Sequence, residues 1–309
     1  MVDARLRVVV TGGAGFIGSR LARAYASRAD ATLILDDLSG GLPSTVPPGA
    51  EIAVLDVTDG STSERIAAFL PDLVIHAAAQ VSVPRSVADP GRDHAVNVVG
   101  TANVIAGARR GGAARFVFLS SGGAVYGEAD GADESTPPAP RSPYGRSKLE
   151  AEALVRESGL SYGIARLANV YGPGQRSDLE GGVVAIFVER LTAGLPVEIH
   201  GDGLQRRDLV HVDDVVAAVE AIAGPRGDGT WNVATGVAIT VVDLLALVRS
   251  MTASASPVIH EPPRAGDVVV SRLSIARIAR ELGWRPSYDL PGGLAATIAE
   301  LRAVAVGAP

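Results

Sequence analysis

Apolar and polar positions alternate with two periods along the chain. Short apolar, β-branched runs at residues 6–11, 31–35, 51–55, 73–76, 115–120 and 162–167 predict buried strands. Between them, Leu21, Ala22 and Tyr25 follow a glycine-rich turn at helical spacing. Ile66, Ala67 and Leu70 share a face after Ser61, and residues 94–109 and 144–158 also read as helices. Strands alternating with helices imply parallel pairing and right-handed crossovers. The expectation for 1–168 is a doubly wound parallel α/β sheet of the Rossmann type. The remainder, 169–309, is expected to be a smaller C-terminal α/β substrate-binding region, with some chain crossing between the two parts. Helices are expected at 182–195, 212–223, 240–249 and 290–302, and strands at 197–199, 207–210 and 230–233. Residues 257–266 read as a proline-rich loop, and the acidic stretch 128–134 as a solvated one.

Composition narrows the function classes. The 309 residues carry a net charge of −6, a poor match for a phosphate backbone, so no nucleic-acid partner is expected. With Cys 0 there is no disulfide framework, thiolate nucleophile or cysteine zinc site, which fits a reducing cytoplasm. The five histidines show no zinc-type spacing, and no metal is expected; His211-x-Asp213-Asp214 reads as a helix start. The longest run free of acidic and basic residues, 94–108, is shorter than the ~20 residues a membrane span needs. Asp3 and the early glycines do not read as a signal peptide. Gly 36 of 309 exceeds the average of about 7% and implies many close backbone approaches.

Three of those glycines carry chemistry. Gly12, Gly15 and Gly18 leave the first strand and open the first helix, where a pyrophosphate would meet free N–H groups. Asp36 ends the second strand, where a carboxylate binds ribose hydroxyls and repels a 2′-phosphate. NAD is therefore expected in preference to NADP, with Asp37 as the adjacent alternative. Asp56-Val57, after the third strand, would contact adenine or cap a turn. Tyr144 and Lys148 lie one helical turn apart, and an ammonium on that face is expected to lower the tyrosine toward a usable general base.

These segments resemble the extended short-chain dehydrogenases/reductases, nearest the UDP-glucose (UDP-galactose) 4-epimerase family. The likeness runs nearly end to end, through TGGAGFIGS at 11–19, His76-Ala77-Ala78-Ala79, SSGGAVYG at 120–127, SPYGRSK at 142–148, RLANVYGP at 166–173 and Leu282-Gly283-Trp284. It implies that Phe16, Ile17, Ala77, Ala78, Ala79, Asn97 and Ser120 line the cofactor with the residues above. It also implies that Tyr144 is the acid/base on the sugar 4-hydroxyl and Lys148 holds the nicotinamide ribose. Ser82, Arg85, Asn169, Val183, Arg207, Arg264 and Asp267 would hold a UDP-sugar, the two last arginines on its diphosphate. A homodimer is implied as well.

One position departs from the family. Gly122 stands where a serine or threonine usually bridges tyrosine and sugar, leaving Ser121, Ser120 or a water to serve. The related dehydratases and decarboxylases carry an acid before Val-Tyr-Gly, where this chain has Gly123-Ala124. Simple 4-epimerisation of UDP-glucose and UDP-galactose is the expected reaction. The alternatives are UDP-glucuronate 4-epimerisation, with Arg85 on the carboxylate, another NAD-dependent dehydratase or reductase, and a non-catalytic NAD-binding protein.

Overall fold

A computed structural model describes residues 6–178, 182–225, 227–263 and 268–307. The first half runs β1 (Arg7–Thr11), α1 (Phe16–Ala26), β2 (Ala31–Asp36), β3 (Ala50–Val54), α2 (Ser61–Phe69), β4 (Leu73–His76), α3 (Val83–Ala88) and α4 (Pro90–His94). A π-helical turn, Ala95–Val99, leads into α5 (Gly100–Gly111). Then come β5 (Arg115–Ser121), α6 (Gly122–Tyr126), β6 (Ala129–Ala132), α7 (Pro143–Glu157) and β7 (Tyr162–Leu167). The rest comprises β8 (Asn169–Tyr171), α8 (Val183–Thr192), β9 (Val197–His200), β10 (Arg206–His211), α9 (Val212–Ala223), β11 (Gly229–Val233) and β12 (Ala238–Thr240). It closes with α10 (Val241–Thr252), β13 (Val258–Glu261), β14 (Val270–Leu273), α11 (Ala276–Leu282) and α12 (Leu290–Gly307).

The large sheet has seven strands in the order β11-β7-β5-β4-β1-β2-β3. The chain reverses its direction of travel across the sheet after β3, the doubly wound pattern. In β1, Val9 lies between Leu33 of β2 and Val74 of β4, both parallel partners. Val8, Val9 and Val10 are all fully buried. A strand covered on both faces reads as a continuous apolar run, which is why it was legible in the sequence. Each such side chain contributes about 1.5–3 kcal/mol on burial.

The chain divides into two compact units. One holds residues up to Val125, Pro140–Arg166 and Val216–Trp231; the other holds Tyr126–Ala139, Leu167–Val215 and Asn232 onward. The chain crosses between the two units at 126–139 and at 216–231, in addition to the boundary near 168. The first unit packs Leu33, Ile66, Phe69, Val104, Phe116, Phe118 and Val155 together. The second has its own core, with Tyr171, Phe187, Leu191, Ile199, Leu244, Val248 and Leu294.

Two expectations are corrected here. Residues 128–134 contain β6, which pairs with β14, and Asp130 bonds Arg272. Glu134 accepts the backbone N–H of Asn232 at 2.7 Å. The strand Ala-Asp-Gly-Ala has no apolar period, so only its partner makes it a strand. Likewise 258–261 is β13, in parallel register with β9 and with Val258 beside Val197.

Candidate active site

The glycine turn is shaped by close packing. Gly12 has φ +66°, and a Cβ there would stand 2.6 Å from the Ala78 nitrogen. A Cβ on Gly18 would overlap the Gly12 carbonyl oxygen and sit 2.7 Å from its carbon. Helix α1 therefore starts hard against the turn. Its N-cap, Gly15, makes no side-chain cap, so the first N–H groups at Phe16, Ile17 and Gly18 point outward.

Asp36 is buried at the end of β2 and accepts the N–H of Ala14 and of Leu38, each at 2.9 Å. Burial pushes its carboxyl above the usual range, and the two N–H bonds partly offset this. Asp37 instead caps its own turn through Ser39, 3.0 Å to the nitrogen and 2.6 Å to the hydroxyl. Asp56 accepts Thr58 N–H at 2.8 Å and pairs with Arg92 at 2.9 Å. Burial opposes its ionisation, but those bonds prevail and hold it low. Its neighbour Val57 is buried and would meet a Cβ on Gly100.

After β4, Ala77, Ala78 and Ala79 are partly accessible. Thr11 anchors them, its hydroxyl accepting Ala78 N–H at 3.3 Å and meeting His76 Nδ1 at 2.7 Å. His76 Nε2 meets Thr101 at 2.9 Å. Burial pushes His76 down to about 3, so it is a neutral packing residue at physiological pH.

The side chains of Tyr144 and Lys148 project from α7, which starts at the Ser142 cap with Pro143 in its first turn. A Cβ on Gly145 would stand 3.1 Å from the Ala124 carbonyl carbon, so α7 presses on the backbone of α6. Strand β5 ends at Ser121 and α6 begins at Gly122, and the Ser121 hydroxyl accepts the Ala124 N–H at 3.4 Å. Burial pushes Tyr144 up to about 12, against a lowering hydrogen bond with Ser121. Burial pushes Lys148 down to about 7, with Glu152 and then Asp93 opposing. The expected lowering of Tyr144 by Lys148 is not what the fold provides. The ammonium lies over the Phe118 ring, 4.2 Å from its centre, and desolvation governs both groups.

The polar side chains of Ser120 and Asn97 are bonded within the protein. The Ser120 hydroxyl donates to Glu152 at 2.7 Å and so is committed inside the protein. The Asn97 amide serves the scaffold: its Nδ2 meets Gln80 O, Asp93 and Ser147, and its Oδ1 accepts Gln80 N–H at 3.0 Å. Ser82 caps α3, accepting Arg85 N–H at 3.0 Å, while the Arg85 side chain is exposed.

In the second unit, Asn169 opens β8 beside Leu209, and Val183 is the first residue of α8. Arg207 sits on β10 next to buried Asp208, which accepts Thr235 N–H at 2.8 Å and Gly236 N–H at 2.9 Å. That clamp fixes the strand bearing the arginine. Arg264 and Asp267 lie outside the described residues. His211 stacks on Tyr288 at 3.9 Å, and Asp214 accepts Ser287 N–H at 2.8 Å. Among the described residues no group of three or more His, Asp or Glu could hold a metal.

The profile of the NAD dependent epimerase/dehydratase family matches residues 8–234. The UDP-glucose 4-epimerase of Mycolicibacterium smegmatis is 40% identical over 306 residues, 95% of this chain and 97% of that one. The structure of a Thermotoga maritima UDP-glucose 4-epimerase with UDP-glucose superposes with TM-score 0.94 at 37% identity, covering 97% of this chain and 100% of that one. That of the Thermus thermophilus enzyme in complex with NAD gives 0.91 at 38%, covering 96% and 99%. The chain belongs to the NAD dependent epimerase/dehydratase family.

The residues present fit the cofactor that the family name states. Gly12 and Gly18 are glycines because the protein's own backbone fills the space, but Gly15 is different. The nearest atom to a Cβ there is Gly12 O at 3.3 Å, and its φ of −82° suits any residue. Its missing side chain leaves open space at the helix N-terminus, where a pyrophosphate would fit. Sequence reasoning did not single out Glu152 and Asp93, the acids that act on Lys148, nor Arg166, which holds Glu152. A signal was available: Lys148 is the only lysine in the chain, and Glu152 continues its face one turn on.

Proposed function

We propose that this protein is an NAD-dependent UDP-glucose 4-epimerase, with UDP-galactose as the other epimer. The observation that carries the reading is the Tyr144–Lys148 pair, buried on the glycine-turn unit near the Ser121 end of β5, with no acid at Gly123-Ala124. One acid/base and one hydroxyl suffice to remove and return a single proton; eliminating water would need a further acid. When bound, NAD supplies a hydride acceptor at C4 and a positive charge that adds to Ser121 in favouring the tyrosine oxyanion. Tyr144 takes the 4-hydroxyl proton as the C4 hydride leaves, giving a 4-keto sugar. The sugar then presents its other face, the hydride returns, and Tyr144 gives the proton back. Ser121 passes the proton or holds the sugar oxygen in line. Arg207 grips the diphosphate, for which a planar, permanently charged fork is suited.

The reading extends to a homodimer in the cytoplasm. Val81, Val83, Val87 and Val99 are 40–64% exposed and offer apolar surface to a second copy. No helix among the described residues is long and apolar enough to cross a membrane. Sedimentation velocity at micromolar protein should give a two-chain species; a single-chain species rejects the dimer. The function itself is tested by incubating purified protein with UDP-galactose, UDP-glucuronate and dTDP-glucose and separating the products. UDP-glucose from UDP-galactose is expected, and turnover confined to another sugar rejects the assignment.

A further inference from the structure

One turn beyond Lys148 on α7 lies a carboxylate with no part in the proton path described above. Glu152 has no exposed surface, yet four donors hold it ionised. Arg166 of β7 gives two hydrogen bonds, 2.9 and 2.7 Å, one to each oxygen. Arg156 of α7 gives one at 2.6 Å and Ser120 of β5 one at 2.7 Å. A single carboxylate thus joins the strand end before Ser121, the helix bearing Tyr144 and Lys148, and β7. Buried ion pairs are often no more stable than apolar residues packed in their place, so stability alone is a poor reason for this cluster.

Its neighbour supplies a better one. Lys148 is itself buried, down at about 7, where its charge is easily lost. The titratable groups facing it are Glu152 and Tyr144 of α7, Asp93 of α4 and His76 of β4. From β5 the Phe118 ring lies against it. On α4, Arg92 turns to Asp56 and His94 to Glu150, while Arg85 of α3 and Arg109 and Arg110 of α5 are exposed. Of the two acids, Glu152 weighs more on Lys148.

We infer that Glu152 is a positioning residue of the reaction, which keeps Lys148 cationic and holds the Ser120–Ser121 strand end against the tyrosine helix. What the cationic lysine does rests on the epimerase reading; the titration itself does not.

Because the chain has one lysine, lysine labelled with 13C at Cε gives a single side-chain resonance whose pH titration reads Lys148 directly. In the purified protein, Glu152→Gln should lower the midpoint by about 1 pH unit, as expected for losing an opposite charge one helical turn away. The alkaline limb of UDP-galactose turnover should move down with it, and less NAD should survive dialysis at pH 8. Arg156→Gln leaves the carboxylate less neutralised and should raise the midpoint. A folded Glu152→Gln protein with the parent midpoint overturns the inference, even if it melts lower. So does an Arg156→Gln midpoint that stays or falls, and this variant decides alone if Glu152→Gln does not fold. If the parent leaves both UDP-hexoses untouched, the epimerase reading fails while the midpoints still decide the role of Glu152.

Discussion

Replacing Gly15 and Gly18 by alanine separates what the cofactor needs from what the fold needs. At Gly15 the backbone is extended, with φ −82° and ψ 179°, and the added carbon has one near neighbour, Gly12 O at 3.3 Å. That oxygen must give by a few tenths of an ångström. Alanine is also a poorer N-cap than glycine, so the expected cost is about 1 kcal/mol. For a chain of this size that is a melting shift of about 2–4 °C or less. The methyl group fills open space at the helix N-terminus that a bound pyrophosphate would use. Losing one charge-assisted hydrogen bond there, about 1.5–3 kcal/mol, weakens NAD about 10- to 100-fold. Gly18→Ala meets backbone, not solvent: its carbon overlaps Gly12 O, and neither the turn nor α1 can yield without the other. Overpacking of this kind costs about 1–3 kcal/mol or more, so the Gly18 variant should melt several degrees lower whether or not NAD is added. NAD content after gel filtration and thermal melts with NAD removed and restored read both effects. Parental NAD content in Gly15→Ala, or equal melting losses in the two variants with NAD removed, would refute the reasoning.

Tyr144→Phe should reduce UDP-galactose turnover by about 10²–10⁴-fold or more while UDP binding measured by calorimetry is kept; activity within a few-fold of the parent removes Tyr144 from the mechanism. Ser121→Ala should lower turnover strongly and Gly122→Ser should not improve it, if Ser121 supplies the hydroxyl that Gly122 lacks; a parent-like Ser121→Ala assigns the proton path elsewhere. Arg207→Ala should weaken UDP affinity with little change in kcat, and an unchanged affinity withdraws the diphosphate role. His76 contributes an acid limb to stability: its folded value, about 3, lies below that of an unfolded histidine near 6.5. The unfolded chain therefore protonates first, and stability is full above about pH 6.5 and falls as pH drops, by roughly 2 kcal/mol between pH 6.5 and 5. Denaturant melts at the two pH values should show this loss in the parent and not in His76→Gln; an equal loss in both excludes His76 as the source.

The sequence by itself determined the sheet and the kind of chemistry. Strands such as β1 and β4 are buried on both faces, so their whole length is apolar and no partner is needed to see them. The glycine turn, Asp36 and the Tyr144–Lys148 pair were legible because each depends on local geometry, a tight turn, a strand end and one helical turn. Only the tertiary structure decided what burial does to them. A carboxylate at residue 152 looks like any exposed helical glutamate until Arg166, fourteen residues on, and Ser120, thirty-two residues back, close around it. Tyr144 reads as lowered when Lys148 is counted alone, but packing removes water from both and turns the ammonium to Phe118. Strands β6 and β13 lack an apolar period and exist because β14 and β9 supply their ladders. Charge state and pairing of this kind depend on which distant groups replace water, and that is fixed only when the chain has closed on itself.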